Sequence, residues 1–238
     1  MYNWEDSFDG AFENCEKLTS VTLGNKLLAV DRETFQNCTS LTTVVIGERV
    51  ESIGEYAFAG CSELTDVTIG SSVLSLGNYA FSNCIELASI EIPSNVESIG
   101  IYCFSGCIRL EDVTFNEGLI SISGGAFMGT PIKELVIPNS VTTISTHSYY
   151  SSGNKYDGAF ENCDKLKNVE ISSTVSSLGV RPFAGCDKLN NVSFQGGPYF
   201  TCDTAVVYSL EDGKKTGIDL NGEASGILFS LDRVGPVE

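Results

Sequence analysis

The sequence predicts a solenoid: a right-handed coil of eight 23-residue units, with short parallel strands and short helical or 3₁₀ turns, followed by a β-hairpin-like C-terminal cap. Three observations predict it. Phe12, Phe35, Phe58, Phe81, Phe104 and Phe127 fall 23 residues apart without a slip, and Phe183 follows Phe160 by the same step. Cysteines keep pace three residues behind (Cys15, Cys38, Cys61, Cys84, Cys107, Cys163, Cys186), and leucines three further on, from Leu18 to Leu189. After each leucine the chain alternates polar and apolar residues, as in Asp66-Val67-Thr68-Ile69. A unit this short cannot bury its apolar face alone, whereas stacked units bury a continuous core with like residues above like.

Each element of the unit has its own signature. From Ile-Gly through Ala-Phe-x-x-Cys-x-x-Leu the apolar residues recur every three to four positions, the spacing of a helical or 3₁₀ turn. Leu-x-x-Val-x-Ile then shifts to a period of two with β-branched residues, which reads as a strand. Gly47, Gly70, Pro93 and Pro138 follow as turn formers. A second apolar pair, such as Val50/Ile53 or Val175/Leu178, completes the unit. The sixth unit departs from the pattern: Thr130 stands in the cysteine column, one residue is lost before Leu135, and about eleven residues are inserted before Phe160.

These signs divide the chain into a solenoid over residues 1–194, with an insertion loop at 145–157, and a segment 195–238 that is a cap or the start of a further domain. In that last segment Ala205–Leu210 and Lys215–Leu220 flank a Gly-containing turn and read as a hairpin, and Gly226–Leu231 is a third apolar run. Residues 1–11 read as a cap or as the end of an insertion in a longer array. The second is favoured, because a solenoid end needs a polar cover and Tyr2, Trp4 and Phe8 supply little of one.

The run Ser52-Ile53-Gly54-Glu55-Tyr56-Ala57-Phe58-Ala59-Gly60-Cys61-Ser62-Glu63-Leu64-Thr65-Asp66-Val67-Thr68-Ile69 resembles one unit of the BspA-like leucine-rich repeat family. The resemblance covers residues 8–194 and recurs in each unit. It implies a curved leucine-rich-repeat solenoid of bacterial or protist cell surfaces that binds other proteins or host matrix. It therefore implies an extracellular or cell-surface location. The family pattern contains no catalytic residues, so none is carried over and the chain is read as a non-enzyme.

Charge narrows the partners. With 31 acidic against 14 basic side chains the formal charge is −17, which disfavours nucleic acid and anionic membrane surfaces. No run approaches the roughly 20 apolar residues of a membrane span. The expected partner is a protein, with host or matrix proteins suspected, and the chain is expected to be a monomer. No cofactor is expected. Of the nine cysteines, the seven in register read as a ladder of buried thiols, since neighbouring coils sit slightly too far apart for disulfides. Cys202, outside the repeats, is the best candidate for an exposed thiol. The one histidine, His147, makes a multi-histidine metal site impossible, and its Ser/Tyr/Gly loop is a poor place to preorganise a triad.

Two surfaces remain as candidates for partner binding. Strand alternation turns Asp66, Thr68, Glu91, Asp112, Glu134 and Glu170 outward, on a face that is expected to carry hydroxyls and carboxylates and no lysine or arginine. Such a face is expected to be smooth and to steer basic or hydroxyl-bearing partners. The insertion adds Tyr149, Tyr150 and Tyr156, which offer large contact area at small entropic cost. The sequence therefore predicts a protein-interaction or adhesion module. The alternatives are a non-binding spacer and an accessory module of a larger secreted enzyme.

Overall fold

The computed structural model describes residues 10–149, 155–179, 181–194, 200–203, 206–209, 216–219 and 229–230. The repeat pattern becomes a parallel β-solenoid in which, among the described residues, the first seven coils contribute two strands each. The longer strand is the one the alternation predicts: Ser20–Thr22, Thr43–Val45, Asp66–Thr68, Ser89–Ile92, Asp112–Phe115, Glu134–Val136, Asn168–Ile171 and Asn191–Phe194. The second apolar pair forms a shorter strand that the sequence reading did not assign. These two-residue strands run from Ala29–Val30 through Ser52–Ile53, Ser75–Leu76, Ser98–Ile99, Ser121–Ile122 and Thr143–Ile144 to Ser177–Leu178. They pair in parallel and in register, Ile53 beside Leu76 and Leu76 beside Ile99, in one unbroken column.

The helical turn expected between these strands is absent, and the hydrogen bonds explain why. Alternate N–H groups leave the coil. Tyr56, Phe58 and Gly60 donate to Asn78, Ala80 and Ser82 of the next coil at 2.8–2.9 Å, while Ala57, Ala59 and Cys61 close short turns onto Gly54, Tyr56 and Phe58. A helix uses every N–H within its own segment, so a ladder that exports every second one cannot be helical. Two residues per coil adopt left-handed φ and set up this alternation. One column holds Asn37, Gly60, Asn83 and Gly106 at φ of 56–78°, the residue types that tolerate this region best. The other holds Glu33, Tyr56, Tyr79 and Tyr102 at 52–56°, where a side chain with Cβ is strained.

The core is a stack of aromatic rings. Eight phenylalanines from Phe12 to Phe183 lie nearly parallel, with ring centroids 5.2–5.5 Å apart in the offset arrangement that aromatic quadrupoles prefer. Phe35 to Phe183 are buried, whereas Phe12, in the first described coil, is half exposed. The cysteine column lies beside this stack with all described thiols free. Each thiol donates to the carbonyl of the phenylalanine one coil back: Cys38 to Phe12, Cys61 to Phe35, Cys107 to Phe81 and Cys186 to Phe160, at 3.1–3.2 Å. The column thus needs a small side chain that also donates a hydrogen bond. Thr130 is also small and a donor, but it gives its hydroxyl proton within its own coil, to the Phe127 carbonyl at 2.8 Å, where the cysteines reach one coil back.

The sixth coil is where order is lost and recovered. The long strands form three separate sheets, with breaks after Asp66–Thr68 and after Asp112–Phe115. The second break falls where one residue is missing from the period. The inserted segment leaves the stack as an antiparallel hairpin, Thr146–Tyr149 against Lys155–Gly158. Phe127 and Phe160 still stack at 5.4 Å, so the core passes beneath the insertion without a gap. Beyond Asn191–Phe194 the third sheet continues antiparallel through Phe200–Asp203, Val206–Ser209 and Thr216–Asp219. The last two of these pair as the hairpin read from the sequence, and Phe229–Ser230 pairs with Ser177–Leu178.

Candidate functional site

The alternation along the long strands decides which side chains face solvent. Ile90, Leu135 and Val169 are buried, so their neighbours point away from the core. Asp66, Thr68, Glu91, Asp112 and Glu134 are exposed on this face, and Glu170 is half-buried. The face does not present them as one ladder. Asp66 and Thr68 lie in the first sheet, Glu91 and Asp112 in the second, Glu134 and Glu170 in the third. Three of the carboxylates are steadied by neighbours: Thr65 donates to Asp66 at 2.7 Å, Asn116 to Glu91 at 3.0 Å and Asn168 to Glu134 at 3.3 Å.

The face is also less smooth than expected. At the second sheet break it carries a groove of about 510 Å³, between Asp112, Val113 and Thr114 on one strand and Glu134 on the next. Lys133, Lys165, Lys167 and Lys188 line its flank. A second hollow of about 430 Å³ shares Val113, Thr114 and Glu134 with it and extends to Val136, an exposed valine. The expectation of a face without lysine or arginine fails: the outward strand positions hold none, but the residues just before the strands bring a basic margin onto the same face. Sequence reasoning missed it because those positions belong to no apolar column.

The structure places the three tyrosines of the insertion separately. Tyr149 lies in the first hairpin strand, and Tyr156 in the second, opposite Ser148. Tyr150 is outside the described residues. A different tyrosine group emerges instead. Tyr56, Tyr79 and Tyr102 stack at 4.7 and 5.0 Å, Arg32 sits 5.8 Å over the Tyr56 ring, and His147 meets the edge of Tyr102 at 5.7 Å. The Tyr102 hydroxyl donates to the buried Asp157 carboxylate. The base of the hairpin is therefore docked on the tyrosine stack. The signal was present in the sequence as three tyrosines 23 residues apart.

The thiols offer little reactivity. Burial raises the Cys38, Cys84 and Cys103 thiols and pushes Cys61 up to about 12. The neighbouring Cys163 thiol and burial together raise Cys186. Thiolates are the nucleophiles and metal ligands of cysteine chemistry, so this column is a packing and hydrogen-bonding device. Cys202 has no described side chain. Among the described residues, no group of three or more His, Cys, Asp and Glu gathers as a metal site, and no helix is long and apolar enough to cross a membrane.

Fold and face define a β-solenoid that displays side chains on a repeating rack. The chain belongs to the BspA type leucine rich repeat family, whose model matches residues 8–48, 29–155 and 154–201 in six copies. Among solved structures it is similar to a leucine rich cell surface protein from Faecalibacterium prausnitzii A2-165, at 28% identity and a TM-score of 0.54, over 77% of this chain and 63% of that one. It is also similar to a leucine rich repeat protein of T. pallidum, at 25% identity and a TM-score of 0.56, over 73% of this chain and 78% of that one. A short stretch of 26 residues is 77% identical to part of the stage V sporulation protein D of Bacillus subtilis (strain 168), 11% of this chain and 4% of that protein.

Proposed function

We propose that this chain is a protein-interaction module that binds a protein partner through the face of its long strands. The carrying observation is the outward column of Asp66, Thr68, Glu91, Asp112 and Glu134, exposed on a backbone whose buried core leaves little freedom. Fixed side chains lose little entropy on binding, and fixed charge of one sign steers partners of the other. Family membership and the fold support this reading over catalysis. The likeness to a cell surface protein supports an extracellular or cell-surface setting; in such a setting the partners proposed are host or matrix proteins.

The insertion supports a second binding surface. Its hairpin is anchored through His147 and Asp157 on the tyrosine stack, and it carries Tyr149 and Tyr156 on its two strands. One experiment separates the surfaces. Partners are captured from extracellular matrix on the purified protein, then tested against the charge-reversed variant D66K/E91K/D112K and against a deletion of 146–156. A salt-dependent loss in the first variant places binding on the face. Loss in the deletion alone places it on the hairpin. Matrix proteins captured equally by both variants and by the parent would overturn both surfaces, and capture of none by the parent would leave the spacer reading.

A further inference from the structure

The groove at the second sheet break is lined by charges of both signs. Four of the 14 basic side chains of a strongly acidic chain line it. They form two columns across three coils. Lys133 and Lys167 immediately precede neighbouring long strands, and the Lys167 N–H donates to the Lys133 carbonyl at 3.0 Å. Lys165 and Lys188 precede the last two parallel strands by three residues, and those strands pair in register at Asn168 and Asn191. The lining also includes Asp112 and Glu134 on the strands themselves.

In the coils before the groove, bases in these columns are answered by an acid one coil back. Arg109 pairs with Glu86, and Lys133 pairs with Glu111. Lys165 has Asp164 at 3.4 Å within its own coil. Lys167 and Lys188 form no ion pair among the described residues. Two ammonium groups are thus left in the groove lining, on adjacent coils where like charges repel, together with the two strand carboxylates Asp112 and Glu134. The chain's remaining negative charge does not cancel this local pattern, because at about 0.15 M salt the field is screened beyond roughly 8 Å.

We infer that this groove takes a peptide segment of mixed charge, whose carboxylates pair with Lys167 and Lys188 while its basic side chains pair with Asp112 and Glu134. A purely basic segment would satisfy the carboxylates and meet the lysines with like charge; a purely acidic one would do the reverse. Charge that is misplaced against a partner discriminates more strongly than matched charge attracts. This inference rests on the proposal that the long-strand face binds protein, and narrows the partner chemistry at one place on it.

The probes are three capped octapeptides, one alternating Lys and Glu, one all Glu and one all Lys. They are titrated into isotopically labelled protein at low salt, and backbone amide shifts are read at Val113, Glu134, Lys167 and Lys188. The alternating peptide is expected to move these amides with an affinity about threefold or more above either uniform peptide, and to lose it at high salt. K167E/K188E, at two exposed positions, should fold as the parent does. It should weaken the alternating peptide by about fivefold and make the all-Lys peptide the best ligand. If the all-Lys peptide binds the parent at least as well as the alternating one, and D112K/E134K abolishes it, the acidic face stands and the mixed-charge groove falls. If the all-Glu peptide is preferred, the groove is an anion site and the inference falls equally. If no peptide moves the groove amides, the inference falls while matrix capture still judges the face.

Discussion

Coils two to five and coil six use the same parts to opposite ends. From Phe35 to Cys107 the Phe, Cys and Leu columns are unbroken and every stacked phenylalanine ring lies on its neighbour within 5.4 Å. This region has few features because each side chain's environment is copied from the coil before. In the sixth coil one residue is missing, threonine replaces cysteine, and a hairpin is extruded, yet Phe127 and Phe160 still stack. The difference teaches where a solenoid stores tolerance. The stacked core enforces registry, and the surface absorbs the irregularity as a sheet break, a groove and a hairpin. The distinctive surface of this molecule is the consequence of that absorption.

The comparison can be broken most strongly in the regular region. Phe81→Ala removes a fully buried ring between two identical neighbours and should cost about 3–5 kcal/mol by denaturant unfolding. Phe12→Ala, half exposed, should cost about 1.5 kcal/mol or less. Equal losses at the two sites would contradict the stacked core. Tyr102→Phe tests the seam between regular coils and insertion. It leaves the Asp157 carboxylate, 5% exposed, without the hydroxyl, and should cost about 1–3 kcal/mol with faster amide exchange in the hairpin.

The thiol column gives a pH test of the regular coils. An unfolded thiol loses its proton near 9, whereas folded Cys61 holds it to about 12. The folded state therefore binds more protons above pH 9. The contribution is fully present below about 9 and is lost as the pH rises through about 12, at roughly 1.4 kcal/mol per pH unit for each such thiol. Alkaline unfolding should be steep, and Cys61→Ala should flatten it. At pH 8 a thiol reagent should label few sites in native protein and all nine cysteines after unfolding. Ready labelling of Cys61 or Cys84 in the native state would refute the buried ladder.

The smallest effect belongs to the irregular region. Deleting 146–156 removes residues that leave the stack and keeps Val141, Ile144 and Phe160 buried. Loop length changes stability weakly, so the thermal midpoint should fall by the equivalent of about 1 kcal/mol or less. A collapse of cooperativity would show that the hairpin supports the sixth coil.

The amino-acid sequence alone determined the period, the inward columns of Phe, Cys, Leu and Val, the long strands and the outward carboxylates. Those follow from local spacing, because a side chain's face is set by its position within one coil. It also determined that the cysteines are packed thiols, since a column in register excludes pairing by geometry. Only the tertiary structure decided the second strand column, which is two residues long and too short to leave a pattern. Only it decided that the Ala-Phe-x-x-Cys turn is no helix, because every second N–H there finds its acceptor in the next coil. The lysine margin was hidden for the same reason. Lys133, Lys165, Lys167 and Lys188 are spread over 56 positions of sequence and meet only when three coils stack. What one coil does is written in its own spacing; what coils do together depends on hydrogen bonds and charges between residues that the chain separates.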